Sequence, residues 1–291
     1  MNKNIIMATV AMLLLPSVMI TSVSGGDPIV VTSGKTIYVD DSGGKEYTRI
    51  LDAVDAANPG DTVYVYSGTY NESITITKTI NLTGEDKSTT IINGNGHYVL
   101  CIYAGYVDNM SRYISADHVN ISGFTIKKGG YGIKINSNYN SITNNNINNN
   151  GNGIYLQHSS NNVISGNTIS NNAEAGMVFF DYSSNNTIAG NTISNNITGG
   201  SSKSTKTTKT GICFIRSNNN SIGGFKPGLK NTISNNTVGI QIFESSGYNT
   251  WRLLWKNNFE NNKINIEGPL LSKLILVLWT IWNIFHPQPD G

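Results

Sequence analysis

Counting six residues from Gly153, Gly176, Gly211 and Gly239, the chain places His158, Asp181, Arg216 and Glu244 at one equivalent position. Two carboxylates, a guanidinium and an imidazole are the groups from which a general base and a charge stabiliser are drawn. Starting one segment earlier, at Gly132, the third positions are Lys134, Tyr155, Val178, Cys213 and Gln241, and the fifth are Asn136, Gln157, Phe180, Ile215 and Phe243. Ser137 opens the series at the sixth position. If these segments stack, Tyr155, Phe180 and Phe243 form an aromatic strip beside the charged edge. Aromatic faces with hydrogen-bonding charges suit the apolar faces and hydroxyls of sugars. The candidate ligand-binding residues are therefore Tyr155, His158, Phe180, Asp181, Arg216, Phe243 and Glu244, with Asp181, Arg216 and Glu244 as catalytic candidates. The same charges also read as a solvated ion pair between neighbouring segments, worth under about 1 kcal/mol. Catalysis has little to draw on, because only Glu174, Asp181 and Glu244 are acidic between Gly132 and Asn258. A glycosidase needs two carboxylates at a defined gap, and no Asp-rich calcium motif is present.

The elements that would align these residues are visible as a repeat. Units run GIKINSNYNSITNNNINNN from Gly132, GIYLQHSSNNVISGNTISNN from Gly153 and GMVFFDYSSNNTIAGNTISNN from Gly176. GICFIRSNNNSI from Gly211 closes at NTISNN, and GIQIFESSGYNTW from Gly239 closes at NNFENN. The template is G-I-x-apolar, a polar turn, then N-x-I-x-x-N-x-I-x-x-N. Apolar pairs two residues apart are strand spacing, so each unit holds three short strands separated by Asn, Gly and Ser turns. Such a unit buries no core alone and must stack, each strand pairing with its equivalent above and below. The prediction is an all-β, single-stranded, right-handed parallel β-helix of about nine coils, roughly 40 Å long at the strand spacing.

Two inward rows follow: Ile142, Ile164, Ile188 and Ile222, then Ile147, Ile169, Ile193, Ile233 and Phe259. The 42 asparagines among 291 residues become ladders, as in Asn140, Asn162, Asn186, Asn220 and Asn249, and in Asn145, Asn167, Asn191, Asn231 and Asn257. Stacked amides hydrogen-bond at this spacing, and Asn tolerates left-handed corners. Upstream, strands are expected at Thr36–Val39, Thr62–Tyr66, Ile74–Ile76, Ile80–Leu82 and Thr90–Ile92. Tyr47–Asn58 reads as a helix, ended by Pro59-Gly60, that covers the open first coil.

Residues 1–24 read as a secretory signal, with Lys3, an apolar run and Ser22-Val23-Ser24 before Gly25. Eight N-x-[ST] sequons, at Asn71, Asn81, Asn109, Asn120, Asn185, Asn196, Asn219 and Asn235, fit a secreted or cell-surface location. The β-helix domain is assigned to 36–262 and an apolar segment to 263–291. Within the latter, Pro269–Phe285 carries Leu270, Leu271, Leu274, Ile275, Leu278, Ile281, Trp282 and Phe285 near helical spacing. It reads either as a cap or docking segment or as a membrane anchor or interfacial helix, and it is short for a span. Ile197–Thr210 and Gly223–Lys230 interrupt the period as surface loops. Cys101 and Cys213, some four coils apart, are too distant for a disulfide. A net charge of +2 offers nothing to nucleic acid.

The stretch YTRILDAVDAANPGDTVYVYSGTYNESITI resembles the N-terminus of pectin-lyase-like right-handed β-helix proteins. The G-I-x-apolar and N-x-I-x-x-N units resemble NosD-like β-helix repeats of archaeal secreted and surface proteins. The NosD resemblance implies copper handling, yet His97, His118, His158 and His286 are scattered without C-x-x-C or H-x-H spacing. No metal or cofactor is expected. The expected function is a non-catalytic secreted or surface protein that binds polysaccharide or cell-envelope glycans, or builds an envelope layer. The alternatives are a polysaccharide-active lyase, hydrolase or epimerase, and a copper-handling accessory protein.

Overall fold

A computed structural model describes residues 34–107, 112–196, 209–248 and 250–268. The signal segment, Asn249, most of the first insertion and residues 269–291 lie outside the described residues. Within them the chain winds as a parallel β-helix whose three sheets each contain eight strands, spread over the nine coils expected because the first coil contributes only to the first sheet and the last only to the second and third. One coil is Ser141–Thr143, Asn146–Asn148 and Asn152–Gln157, in the first, second and third sheet respectively. All pairing within these sheets is parallel and in the register that the repeat implies: Ile142 against Ile164, Ile147 against Ile169, Ile154 against Met177. A last strand, Ile264–Glu267, pairs with Val238–Phe243 and lies beyond the 262 limit read from the repeat. A strand at Gly68–Asn71 was not among those expected either.

Both inward Ile rows are fully buried, as is Met177, while Phe259 packs against the core partly exposed. The recurring glycine has a steric cause. A Cβ on Gly176 would lie 2.6 Å from the Gly211 carbonyl oxygen and 2.8 Å from Ile193 Cγ2. Only a residue without a side chain lets the coil turn into the third sheet there.

The amide ladders form as expected, except that Asn220 donates to the Tyr248 hydroxyl at 2.6 Å. Asn145, Asn167, Asn191, Asn231 and Asn257 are linked Nδ2 to Oδ1 at 3.2, 3.0, 3.0 and 2.8 Å. A third ladder runs through Asn150, Asn172, Asn196, Asn236 and Asn262. The left-handed corners, however, belong to other residues. Asn144, Asn149, Asn161, Asn171, Asn185, Asn195 and Asn235 have positive φ, each one place before a ladder Asn.

The expected N-terminal helix is shorter, Ile50–Ala56 (α1), and buries Ile50, Ala53 and Val54 against the first coil. Its N-cap residue, Arg49, makes no side-chain cap bond. Instead Glu72 accepts the Ile50 and Leu51 N–H groups, each at 2.9 Å. Lys78 Nζ donates to the carbonyls of Val54, Asp55 and Ala57 at 3.2, 2.6 and 2.7 Å. Both orphan ends of the helix are thus satisfied by side chains from the next turns of chain. A second helix, Thr250–Lys256 (α2), precedes the last second-sheet strand. No helix among the described residues is long and apolar enough to cross a membrane.

Candidate functional site

Third-sheet strands are six residues long where first- and second-sheet strands in the repeat are two to four. Their outward side chains form three rows. The middle row reads Cys101, Lys134, Tyr155, Val178, Cys213 and Gln241, and one edge row reads Tyr103, Asn136, Gln157, Phe180, Ile215 and Phe243. The third row reads Tyr98, Tyr131, Asn152, Ala175, Thr210 and Val238.

Of the sequence-predicted residues, the structure brings Asp181, Arg216, Glu244, Phe180 and Tyr155 together. Arg216 Nε donates to Asp181 Oδ1 at 2.5 Å, and its Nη1 lies 3.6 Å from Glu244 Oε2. The guanidinium carbon sits 5.2 Å from the Phe180 ring centroid. The hydrogen bond that Arg216 donates to Asp181 raises the Arg216 pKa further above its already high value. With Arg216 and Glu244 largely in water, this network adds little stability. Tyr155 stacks on Phe180 at 6.1 Å and packs on Tyr131 at 4.8 Å. Burial, then the nearby Tyr131 and Asp181, push its hydroxyl pKa up.

His158 stands apart from the ion pairs. Its backbone N–H donates to the Asp181 carbonyl at 2.9 Å, while its ring stacks on Tyr182 at 6.0 Å. Phe243 pairs with Ile215, not with Phe180, so Ile215 interrupts the aromatic strip, although Tyr155, Phe180 and Phe243 all pack against the same apolar cluster of Ala175, Val178 and Cys213. Ser137 does not align with His158. Its N–H donates to Ser159 Oγ, because its turn is one residue shorter and lacks the left-handed residue. That residue in the later turns is His158, Asp181, Arg216 or Glu244, with φ of 50°, 39°, 48° and 44°.

Sequence reasoning missed a groove. A hairpin, Gly105–Val107 with Arg112–Ile114, rises between the third-sheet strand Tyr98–Tyr103 and the next first-sheet strand. It walls a cavity of about 370 Å³ lined by Tyr103, Tyr113, Asn136, Asn138, Gln157 and His158, among others. The available signal was the stretch from Tyr103 to Asn120, far longer than the turn from Gln157 to Val163, with Tyr106 and Tyr113 within it. The groove joins planar rings to side-chain amides, which donate and accept at once, and its Gln157 is the strand partner of Phe180. His97, His118 and His158 lie on separate coils, each against a tyrosine (Tyr131, Tyr139 and Tyr182). Among the described residues no three His, Cys, Asp or Glu side chains gather into a metal-holding group. Cys101 and Cys213 are free and four strands apart.

Comparison with known proteins matches the family described as right-handed beta helix region over residues 78–264. No curated protein matches this chain. Among solved structures it is similar to ORF18 of Geobacillus virus E2, at 19% identity and TM-score 0.45, covering 72% of this chain and 48% of that one. It is similar to an alginate lyase from Paenibacillus sp., at 13% identity and TM-score 0.45, covering 79% and 99%. A third is tailspike protein gp49 of the Acinetobacter baumannii bacteriophage Fri1, a capsular polysaccharide depolymerase, at 11% identity and TM-score 0.46, covering 80% and 46%. The chain thus spans about half the length of the first and third of these. With the family match covering well over half of the sequence, this chain belongs to the right-handed β-helix family.

Proposed function

We propose that this protein is a secreted or cell-surface glycan-binding rod without catalytic activity. In this reading it holds a polysaccharide in the groove between the Gly105–Ile114 hairpin and the third sheet. The observation that carries it is the groove itself: Tyr103 and Tyr113 beside Asn136, Asn138 and Gln157 in a cavity of about 370 Å³. Rings cover the apolar face of a sugar while amides pair with its hydroxyls. From there Asp181, Arg216 and Glu244 extend the surface coil by coil along the adjoining edge, so a polymer of regular repeat meets a protein of regular repeat.

Asp181 already accepts from Arg216, which ties its carboxylate to a cation instead of leaving it to act as a base. The enzymatic reading keeps one observation in its favour, the gathering of Asp181, Arg216 and Glu244 on one edge. A glycan array followed by titration calorimetry tests both. Binding is expected, weakened about tenfold or more by Tyr113→Ala or Gln157→Ala, a loss of about 1.4 kcal/mol each, and unchanged by Tyr38→Ala at the far end. Failure to bind any polysaccharide would overturn the proposal. Turnover of a bound glycan that vanishes in Asp181→Asn would replace it with the enzymatic reading.

A further inference from the structure

The outer face of the third sheet changes character along the rod. In the earlier coils Tyr98, Tyr131, Lys134 and Tyr155 of its outward rows are half-buried, with Cys101 and Asn152 among them at 7% and 6% exposed. In the later coils Ala175, Val178 and Cys213 are 0%, 2% and 0% exposed, although they point away from the core. They form an apolar cluster of their own, flanked by Tyr155, Phe180, Ile215 and Phe243. Burial pushes the Cys213 thiol pKa up to about 12, with the Glu267 carboxylate adding to it. An alanine, a valine and a cysteine on an outer sheet face are too small to shield one another from water. Some part of the chain covers them.

We propose that residues 269–285 fold back over this face and seal it. The last strand, Ile264–Glu267, belongs to the same sheet. Its Glu267 accepts from Gln241 of the middle outward row at 2.6 Å, so the chain leaves the rod at the edge of the patch. Gly268-Pro269 then supplies a turn. PLLSKLILVLWTIWNIF follows, with Leu270, Leu274, Leu278 and Ile281 on one helical stripe. Wound as a helix, those 17 residues reach about 26 Å. The four strand steps from Glu267 back to Tyr155 span about 19 Å, so the segment is long enough to cover the whole patch. Residues 197–208, the other nearby stretch, are Ser, Thr, Gly and Lys apart from Ile197, and offer no apolar face to match.

The test uses the full chain with Cys101→Ser, leaving Cys213 as the sole thiol. Cys213 is expected to react with a thiol reagent at least about tenfold slower than an exposed cysteine. Leu274→Glu or Leu278→Glu should release that protection with the circular dichroism spectrum unchanged. Should either variant fail to fold, single cysteines introduced at 274, 278 and 281 provide a second measurement, with intrachain disulfides to Cys213 expected on mild oxidation. Rapid reaction of Cys213 in the full chain, or protection unaltered by both glutamates with no intrachain disulfide, would overturn the proposal. So would interchain disulfides, which assign the patch to a second copy, or co-sedimentation with phosphatidylcholine vesicles accompanied by an exposed thiol.

Discussion

Adjacent asparagines in this protein do different work. Asn171 is exposed and left-handed, with φ of 56°, a conformation that costs most residues roughly 1 kcal/mol or more. Asn172 is fully buried: its amide donates to Asn196 and to the Ile147 carbonyl, and its oxygen accepts from the Asn150 backbone and side chain. Asn171→Gly should therefore leave thermal stability unchanged or slightly higher. Asn172→Ala should cost about 3–5 kcal/mol, since two or more buried partners lose their bonds at roughly 1–3 kcal/mol each. Urea denaturation separates the two, and equal losses would show that the tasks are not divided. The repeat made the asparagines legible as architecture, but not this division, because both positions carry the same letter. The distinction lies in which amide faces inward, a property of the corner and not of the residue type.

The elements show a similar limit. Strand phase, sheet assignment and the capping helix were all readable, because hydrophobic period and stacking are local rules repeated many times. The caps of α1 were not, since Glu72 and Lys78 lie outside the helix in sequence and no local pattern marks them. They should matter nonetheless. Glu72→Ala and Lys78→Ala should each destabilise the protein by about 1–3 kcal/mol in chemical denaturation. Both should also raise the rate of aggregation measured by light scattering, because a frayed α1 uncovers the first coil and its strand edges. A variant that loses stability without aggregating faster would mean the helix does not guard that end. The groove escaped the sequence for a comparable reason: it is made by one irregular hairpin laid against a regular sheet, and only the regular partner announces itself.

Across the whole molecule, burial keeps several weak acids neutral. The Tyr70 hydroxyl and the Cys213 thiol are both pushed up to about 12, and the Tyr155 and Tyr248 hydroxyls are raised as well. Each binds its proton more tightly folded than unfolded, so the stabilisation is complete below the unfolded value and is lost as pH rises through the folded one. For Cys213 that window runs from its ordinary 9.0 to about 12. Melting temperature should be flat from neutral pH to about 9 and fall steeply above it. Cys213→Ala should flatten the fall by up to a few kcal/mol, at about 1.4 kcal/mol per pH unit; identical alkaline profiles for the two proteins would refute this origin. The ladders carry a different consequence. Each runs donor to acceptor in a single direction, Asn150 to Asn172 to Asn196 to Asn236, so every coil offers its successor the surface it takes from its predecessor. One more coil spliced into the middle would be accepted on the same terms, moving everything beyond it by about 4.8 Å. The distance from the groove to the Arg216 edge is in that sense a ruler graduated in whole coils, adjustable by duplication without redesigning either end.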